Sequence, residues 1–286
     1  MDPFGALGRV WFAARKLRLP IARDALVLEV GSGDSPCPRS DILLDMTLEN
    51  HERVGGRTVV DRPTVLGLVE RLPFRDKAFD YVIAFHVLEH SADPERFLRE
   101  IERVGRAGYI ETPAAWVERV NPLTMHRLEV GVEPANGHER LVIRRKVSPV
   151  PDPDLARLFE QSSRPRRWFA RIDRRAVVTR YHWRDRIHMR QVNPDVPTDW
   201  QPPADVTRPD ATNPRPPLRR FLAWAAQRTH RPRAVPLGHL LQCPDCGQTP
   251  LDGTIERADL RCPGCDRRFT VTDGIPHLHP AGWRLR

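Results

Sequence analysis

The 286-residue chain has no long apolar run, few cysteines and almost no lysine. No stretch approaches the roughly twenty apolar residues that cross a bilayer, and no basic segment precedes an apolar run near the first residue. We therefore expect a cytoplasmic protein without a transmembrane segment. In that reducing compartment, paired cysteines are better explained as metal ligands than as disulfides. The hydrophobic content of 40% suffices for a globular core, and the length favours roughly two domains.

Lysine occurs only three times, so arginine supplies nearly all of the 46 basic residues. Residues 1–150 carry 22 basic and 22 acidic side chains, and residues 236–286 carry six of each. The net charge of +9 therefore lies in residues 151–235, where 18 arginines face nine acidic side chains. Two interpretations stay open for that segment: it binds phosphate groups, as in RNA, or it is a solvated linker.

Four of the five cysteines form two Cys-Pro-x-Cys pairs separated by fifteen residues. Each such turn points two thiolates at one tetrahedral position, so the pattern predicts a structural zinc ion. Zinc ligation supplies folding free energy that a segment of about fifty residues cannot draw from a small apolar core. The remaining cysteine, Cys37, is predicted to be a packing residue. The predicted zinc ligands are Cys243, Cys246, Cys262 and Cys265.

The distribution of apolar residues and prolines divides the chain into four segments. Residues 1–19 show helical spacing of apolar side chains and predict an amphipathic helix. Residues 20–195 contain the main domain. Residues 196–236 are rich in proline and arginine and predict a linker with one short helix at Leu218–Thr229. The zinc ribbon occupies residues 237–286.

Short continuous apolar runs in the main domain predict buried strands of a parallel sheet. An amphipathic helix is predicted over residues 94–104. This order favours an α/β fold with a doubly wound, mostly parallel sheet, followed by the small four-cysteine ribbon. Alternating segments at 176–183 and 187–192 predict an antiparallel hairpin that closes the sheet. The predicted parallel strands are residues 25–30, 41–45, 78–85 and 108–111.

A glycine turn, Glu29-Val-Gly-Ser-Gly33, follows the first predicted strand. Such a turn lets the backbone approach a ligand at the carboxyl end of the strand. The third glycine of the dinucleotide-binding pattern is missing, and no room remains for a helix before Asp41. The turn therefore counts against NAD as the ligand.

Beyond the glycine turn, a series of motifs resembles the class I S-adenosylmethionine (SAM) dependent methyltransferases, specifically the type 11 group. The motifs occur in the order typical of that group, and the resemblance implies a SAM-binding, Rossmann-like domain with methyltransferase activity. The matching motifs are residues 28–33 (LEVGSG), 71–74 (RLPF), 76–83 (DKAFDYVI), 86–90 (HVLEH), 93–94 (DP), 97–100 (FLRE) and 108–113 (GYIETP).

The resemblance also implies roles for individual residues. Gly31 and Gly33 are expected to lie against the methionine part of SAM, and Glu29 to orient its ammonium group. Asp45, at the end of the second strand, is expected to accept hydrogen bonds from the ribose hydroxyls, because two carboxylate oxygens can bind a vicinal diol.

The chain departs from the group on the adenine side of this expected site. Family members commonly place an aspartate where Leu68 stands, so one hydrogen bond worth on the order of 1 kcal/mol is lost and a weakened affinity for SAM is expected. The backbone of Leu68 and Val69 is still expected to contact adenine, and Phe85 completes the predicted cofactor contacts.

His86, Glu89 and His90 have the i, i+3, i+4 spacing that places side chains on one face of a helical turn. The spacing matches inverted zinc proteases, but its position inside the methyltransferase pattern argues against proteolysis. Small-RNA 2′-O-methyltransferases and a quinone-biosynthesis group have a similar segment, with Glu in the first position, that holds a divalent metal. Three interpretations stay open: metal binding, a general-base role for His86 or His90, or hydrogen bonds that support the loop.

His126 is a further candidate catalytic residue. It precedes Arg127 in a predicted loop after the last strand of the pattern, where acceptor-recognition residues often lie. Arg127 could pair with a carboxylate or phosphate of the substrate.

The cysteine-containing segment resembles the small zinc-ribbon activator proteins that bind and stabilise tRNA and protein methyltransferases. It also resembles, more weakly, the zinc ribbon of some ribosomal RNA methyltransferases. The resemblance rests on Leu240-Leu-Gln-Cys243 and on Phe269–Pro276. The ribbon is therefore predicted to stabilise the enzyme, to present its substrate or to bind a protein partner.

These expectations combine into one predicted function and one alternative. The prediction is methyl transfer from SAM to an oxygen or nitrogen acceptor, with a biosynthetic small molecule or a glycan ahead of RNA as the substrate. The alternative is a nucleic-acid-binding or protein-binding adaptor, in which the methyltransferase fold is vestigial and the ribbon and the arginine-rich segment bind the partner.

Overall fold

The computed structural model describes residues 15–16, 18–48, 58–150, 152–161, 176–197, 200 and 235–284. The predicted helix of residues 1–19 lies almost entirely outside this range, and the predicted helix Leu218–Thr229 lies wholly outside it. In the described part of the chain, no helix combines the length and apolar composition that crossing a membrane requires.

The described elements alternate between strands and helices. The α-helices are α1 (Pro94–Val104), α2 (Ala115–Val120) and α3 (Pro153–Gln161), and short 3-10 turns cover Leu88–His90 and Leu237–Leu240. The strands are β1 (Val27–Val30), β2 (Ile42–Asp45), β3 (Thr64–Leu66), β4 (Phe79–Phe85), β5 (Gly105–Pro113), β6 (Leu128–Ala135), β7 (His138–Arg145), β8 (Val178–Arg184), β9 (Met189–Gln191), β10 (Val271–Thr272) and β11 (Ile275–Pro276).

Six strands form the central sheet in the order β3-β2-β1-β4-β5-β8. The first five run parallel, and β8 is antiparallel to β5. Every residue of β1 and β2 is buried, which explains why the sequence shows continuous apolar runs there instead of alternation. The strand order reverses between β1 and β4, so the loops after these two strands diverge and form a crevice at their carboxyl ends.

Helix α1 begins and ends at the predicted residues. The Asp93 side chain caps the start of the helix by accepting a hydrogen bond from Arg96 N at 3.0 Å. Pro94 occupies the first turn, where the helix needs no hydrogen bond from the backbone nitrogen. One face of the helix is buried against the sheet and consists of Phe97, Leu98, Ile101 and Val104.

Residues 31–41, between β1 and β2, form turns without a helix. This confirms the expectation that the glycine turn is not followed by a normal helix. Because no helix begins within residues 31–41, this segment offers a pyrophosphate no helix N-terminus.

A second sheet, in the order β6-β7-β9, was not predicted from the sequence. The hairpin predicted from residues 176–183 and 187–192 is wrong, because β8 joins the central sheet while β9 pairs in parallel with β7. The link between the two strands is fixed to the central sheet by Asp185 N, which donates to Arg106 O at 2.7 Å. Alternating polarity shows which face of a strand is buried, but it does not show which strand pairs with it. The alternation in residues 176–192 therefore could not reveal that the two strands belong to different sheets.

The ribbon packs against the edge of the central sheet at β3. Leu278 N donates to Leu66 O at 2.7 Å, which places the segment after β11 parallel to β3. Nearby, Gln242 N donates to Pro73 O at 3.0 Å. Apolar side chains of the ribbon and of the main domain belong to one hydrophobic core. The short edge strand β3 is thus covered and is not exposed to pairing with another chain.

Close packing between β4, β5 and β8 predicts a severe effect for Gly108→Ala. A Cβ at this position would lie 2.4 Å from Val82 O and 2.7 Å from the Trp183 ring. We expect a loss of about 1–3 kcal/mol in the free energy of unfolding, measured by chemical denaturation. The matched variant Gly131→Ala, in β6, meets no atom within 4 Å and should be near neutral. Equal effects of the two substitutions would contradict this packing.

Candidate functional site

The carboxyl ends of β1, β2, β4 and β5 meet at the crevice. The glycine turn follows β1, Asp45 ends β2, His86 follows β4 and Glu111 lies near the end of β5. Polar side chains from four strands are therefore collected at one edge of the sheet, where ligands bind in open parallel sheets.

The glycine turn requires both of its glycines. Gly31 and Gly33 have φ angles of +64° and +58°, which side chains rarely adopt. A Cβ on Gly31 would also lie 2.3 Å from Val87 Cγ2, so glycine permits the close approach of the loop after β4. Gly33 N donates to Asp45 Oδ2 at 3.0 Å and ties the turn to the end of β2.

The two predicted cofactor carboxylates are buried and bonded within the protein. Glu29 Oε2 accepts hydrogen bonds from Cys37 N at 2.6 Å and Ser40 Oγ at 2.7 Å. Asp45 Oδ1 accepts one from Met46 N at 2.8 Å. Both carboxylates shape the loop that follows β1, and their contacts with a cofactor stay predictions. Burial raises the pKa of Cys37 to about 12, as expected for a packing thiol.

An ammonium group lies in the crevice beside the glycine turn. Lys16 Nζ lies 3.8 Å from Glu29 Oε1 and 4.7 Å from the centre of the Phe85 ring. It also donates a hydrogen bond to Ser35 O. A carboxylate, a carbonyl and an aromatic face together stabilise a cation, so this part of the crevice is suited to positive charge.

Glu111 is a buried carboxylate surrounded by donors. Its Oε1 atom lies 2.7 Å from Arg15 Nε and 3.3 Å from His86 Nε2, and its Oε2 atom accepts from Tyr109 OH at 2.7 Å. Burial by itself would raise the pKa of Glu111, but His86 and Arg15 outweigh it and lower the pKa to about 2. Sequence reasoning missed Glu111, although an acidic residue inside an apolar strand was an available signal.

His86 lies between two carboxylates. Its Nδ1 atom is 3.3 Å from Glu89 Oε1, and its Nε2 atom is at the same distance from Glu111 Oε1. Its φ of +54° is a strained backbone conformation of the kind found at functional sites. Burial alone would lower the pKa of His86, but the two carboxylates raise it to about 9. A histidine protonated at neutral pH is a poor general base, which disfavours that interpretation for His86.

Glu89, His90 and His126 come together behind His86. Their potential ligand atoms all lie within 4.8 Å of one another. Arg127 N donates to Glu89 O at 2.7 Å, which joins the start of β6 to the turn after β4. The rings of His90 and His126 are nearly perpendicular, with centres 4.6 Å apart. Burial lowers the pKa of His90 to about 3, so this imidazole is neutral.

Glu118 in α2 holds His126 in place and was not found from the sequence. Its Oε1 atom lies 2.6 Å from His126 Nδ1, and its Oε2 atom lies 3.5 Å from Lys146 Nζ. All three side chains are buried. The spacing of eight residues between Glu118 and His126 spans a helix end and a loop, so no periodic pattern linked the two residues.

The predicted adenine contacts, Leu68 and Val69, follow β3 at the same edge of the sheet. Arg71 N donates to Leu68 O at 3.1 Å and forms a tight turn there. The ribbon lies alongside, because a Cβ on Gly67 would be 3.3 Å from Leu278 O. The adenine side of the expected site is therefore adjacent to the ribbon, and the contacts with adenine stay predictions.

The two Cys-x-x-Cys turns of the ribbon have matching geometry. In each turn the residue after the second cysteine has positive φ, with Gly247 at +76° and Asp266 at +61°. Their N–H groups donate to Cys243 O at 3.0 Å and to Cys262 O at 2.9 Å.

The four sulfurs of the ribbon lie within 4.8 Å of one another, close enough to bind one ion. The distances between sulfurs include 3.7 Å for Cys243 and Cys265 and 3.4 Å for Cys246 and Cys262. A Zn–S bond of about 2.3 Å implies separations of about 3.8 Å in a regular tetrahedron. The cluster of four cysteines fits the predicted zinc ribbon.

Residues 40–110, about a quarter of the chain, match a family profile described as a methyltransferase domain, of type 11. Together with the strand order, this match confirms the predicted class I methyltransferase fold. Residues 40–110 of this chain are therefore similar to the methyltransferase domain that the profile describes. No curated protein sequence matches the chain significantly.

Solved structures also match part of the chain. A chain from the complex of a methyltransferase activator with a methyltransferase, from Haloferax volcanii, is 24% identical over 37% of this chain and 53% of that one, with a TM-score of 0.29. A protein from Bacillus halodurans described as a methyltransferase is 17% identical over 37% of this chain and 58% of its own, also with a TM-score of 0.29. A Pyrococcus horikoshii protein is 15% identical over 56% of this chain and 84% of its own length, with a TM-score of 0.33. The matched region spans about half the length of the Haloferax volcanii and Bacillus halodurans proteins.

The charge state of His86 predicts a pH-dependent stability. A group whose pKa rises on folding stabilises the folded state fully below its unfolded pKa, about 6.5, and loses that effect as the pH passes its folded pKa. The stability difference between the protein and its His86→Gln variant should therefore shrink as the pH rises from about 6.5 towards about 9. Chemical denaturation at a series of pH values measures this. A difference that is constant over this window would contradict the proposed charge state.

The ribbon geometry predicts that Cys246→Ser loses bound zinc. Three thiolates and a hydroxyl bind zinc more weakly, and the ribbon shares a core with β3, so the melting temperature should fall as well. Metal analysis of the purified protein measures the zinc content. Cys37→Ser is the matched control and should keep one zinc per chain at the ribbon. A zinc content in Cys246→Ser equal to that of the unsubstituted protein would refute the four-sulfur site.

Proposed function

We propose that this methyltransferase domain is catalytically active and transfers the methyl group of SAM to an oxygen or nitrogen acceptor. The observation that carries the proposal is the set of buried ionisable side chains at the carboxyl ends of β4 and β5, directly beside the glycine turn. Among them are Glu89 and Glu111, with the half-buried His86 between them and the buried His126 close by, just before β6. A folded protein retains such groups away from water only when they are paired or functional, because burying them costs free energy.

The donor is proposed to bind at the glycine turn. SAM carries an α-ammonium group and a sulfonium, and the crevice already accommodates an ammonium, that of Lys16, between Glu29 and the Phe85 ring. Binding of SAM therefore requires Lys16 to move and exchanges one cation for another. Gly31 and Gly33 leave the backbone accessible to the methionine part.

When bound, SAM supplies an activated methyl group, and the protein's task is to align the acceptor with it. His86 is proposed to face the acceptor, with the fully buried Glu111 3.3 Å behind it. The protonated His86 would donate a hydrogen bond to an acceptor oxygen or carboxylate, and Glu111 would fix the orientation of His86. The charge balance of residues 1–150 favours a small molecule or a glycan over RNA as the acceptor.

The ribbon is proposed to stabilise the donor side of the site. His279 Nε2 lies 2.8 Å from Met46 O, directly after Asp45, and Leu278 pairs with β3. The His279 ring also stacks on Trp283 with centres 3.8 Å apart. The ribbon therefore supports the ends of β2 and β3, next to Leu68, where the usual aspartate is missing. A role in binding a protein partner is an additional proposal.

One observation favours the alternative of an adaptor with a vestigial methyltransferase fold. Glu29 and Asp45 are both engaged by groups of the chain, and Lys16 lies where a donor would bind. A fold that has lost its cofactor would show these features. A direct binding measurement distinguishes the two functions.

Calorimetric titration with SAM should show binding, and Asp45→Asn should weaken it by about tenfold or more. The charged carboxylate is the stronger acceptor for ribose hydroxyls, since hydrogen bonds to a charged group contribute about 1.5–3 kcal/mol. The matched control is Asp41→Asn at the opposite end of β2, where the carboxylate accepts from Val27 N at 2.9 Å. This variant should be less stable but keep its affinity for SAM.

Two outcomes would overturn the proposal. No binding of SAM at millimolar concentration would leave the adaptor as the better explanation. Full affinity in Asp45→Asn would remove the ribose assignment. Where SAM binds, incubation with radiolabelled SAM and fractionated cell extract should transfer label to an acceptor fraction, which identifies the substrate class.

A further inference from the structure

The side chains of Glu89, His90 and His126 form a cluster outside the proposed donor site. They come from two distant parts of the chain, the 3-10 turn after β4 and the residues before β6. Their potential ligand atoms lie within 4.8 Å of one another. Glu89 is 1% exposed and His126 is 5% exposed, while His90 is half-buried and connects the cluster to the surface.

Several polar atoms of the cluster have no hydrogen-bond partner among the described residues. These are both carboxylate oxygens of Glu89 and the Nδ1 atom of His90. His86 Nδ1 lies 3.3 Å from Glu89 Oε1 as an ion pair, and the oxygens of Glu89 have no hydrogen-bond partner beside it. A buried carboxylate without hydrogen bonds is costly, so buried polar groups of this kind normally have a partner such as a water or an ion.

Glu118 prepares His126 to act as a ligand. The contact of 2.6 Å between Glu118 Oε1 and His126 Nδ1 keeps the proton on Nδ1 and leaves Nε2 as the ring nitrogen with a lone pair. Lys146 is also buried, and its Nζ atom lies 3.5 Å from Glu118 Oε2. A carboxylate that orients a histidine in this way is the usual support of a metal-binding imidazole.

We propose that Glu89, His90 and His126 bind one divalent transition-metal ion, separate from the zinc ion of the ribbon. Glu89 contributes its carboxylate, and each histidine contributes one ring nitrogen. Two imidazoles and a carboxylate suit Zn²⁺, Mn²⁺, Fe²⁺ or Co²⁺ and leave at least one position open. The sequence pointed to His86 as a member of such a site, but the structure replaces it with His126, because His86 bridges Glu89 and Glu111.

A metal at this position has a consequence for the substrate, which rests on the proposed methyl transfer. The open position would take an oxygen ligand, and a metal lowers the pKa of a hydroxyl bound to it. The site would therefore favour a hydroxyl-bearing acceptor over an amine. Metal binding itself does not depend on SAM, so the two proposals fail independently.

Titration of the metal-free full-length protein with Co²⁺ tests the proposal without any substitution. The ribbon binds one ion through four thiolates, and this ion gives an intense sulfur-to-cobalt absorption. The proposed site should bind a second ion that adds weaker d–d absorption and no sulfur band. A single equivalent of bound cobalt, or a second one with sulfur character, would overturn the proposal.

Variants then locate the second ion. His126→Gln and Glu89→Gln should bind only the ribbon ion, and Cys246→Ser should keep only the second ion. Glu118→Gln should lower the affinity for the second ion by about tenfold to a hundredfold, since it removes only the orientation of His126. His138→Gln, at an exposed histidine on β7, is the control and should bind both ions. Retention of two ions in His126→Gln would refute the assignment, and equal circular dichroism spectra check that each variant is folded.

Discussion

The architecture of the site depends on the burial of carboxylates on the parallel strands and on the turn and helix that follow them. Glu29, Asp45, Glu89, Glu111 and Glu118 are all at most 1% exposed. A carboxylate removed from water is stable only when other groups supply hydrogen bonds or positive charge. Four of these carboxylates, all except Glu89, are hydrogen-bonded to groups from other parts of the chain.

The recruited groups explain most of the local conformation. Backbone N–H groups of Cys37 and Gly33 bind Glu29 and Asp45, so the loop after β1 closes without a helix. Arg15 and His86 neutralise Glu111 and bring the segment before β1 into contact with the end of β5. Glu89 is the exception, because it has the charge of His86 at 3.3 Å but no hydrogen bond to its oxygens from the described side chains. That exception is the physical basis for a cation at this place.

The ribbon also covers the edge of the central sheet. Strand β3 has only three residues and would expose unpaired backbone groups at the edge of the sheet. The segment around Leu278 covers it, and the shared core couples the folding of the ribbon to that of the main domain. Zinc ligation in the ribbon thus stabilises strand ends that are remote in sequence from the cysteines. These strand ends carry the expected donor site.

The sequence by itself determined the features that depend on local or repeated patterns: the glycine turn, helix α1, four of the five parallel strands and the four cysteines. Strand β3, with only three residues, was not predicted. The turn, the helix and each strand are encoded within a few neighbouring residues. The four cysteines are recognised by a spacing that is typical of a tetrahedral zinc site. Only the tertiary structure decided which strands pair, as the failed hairpin between β8 and β9 shows, and which side chains meet. His126 joins Glu89 and His90, and Lys16 reaches Glu29, because long-range backbone pairing brings them together. Such contacts follow from the packing of the whole sheet, and no local pattern records them.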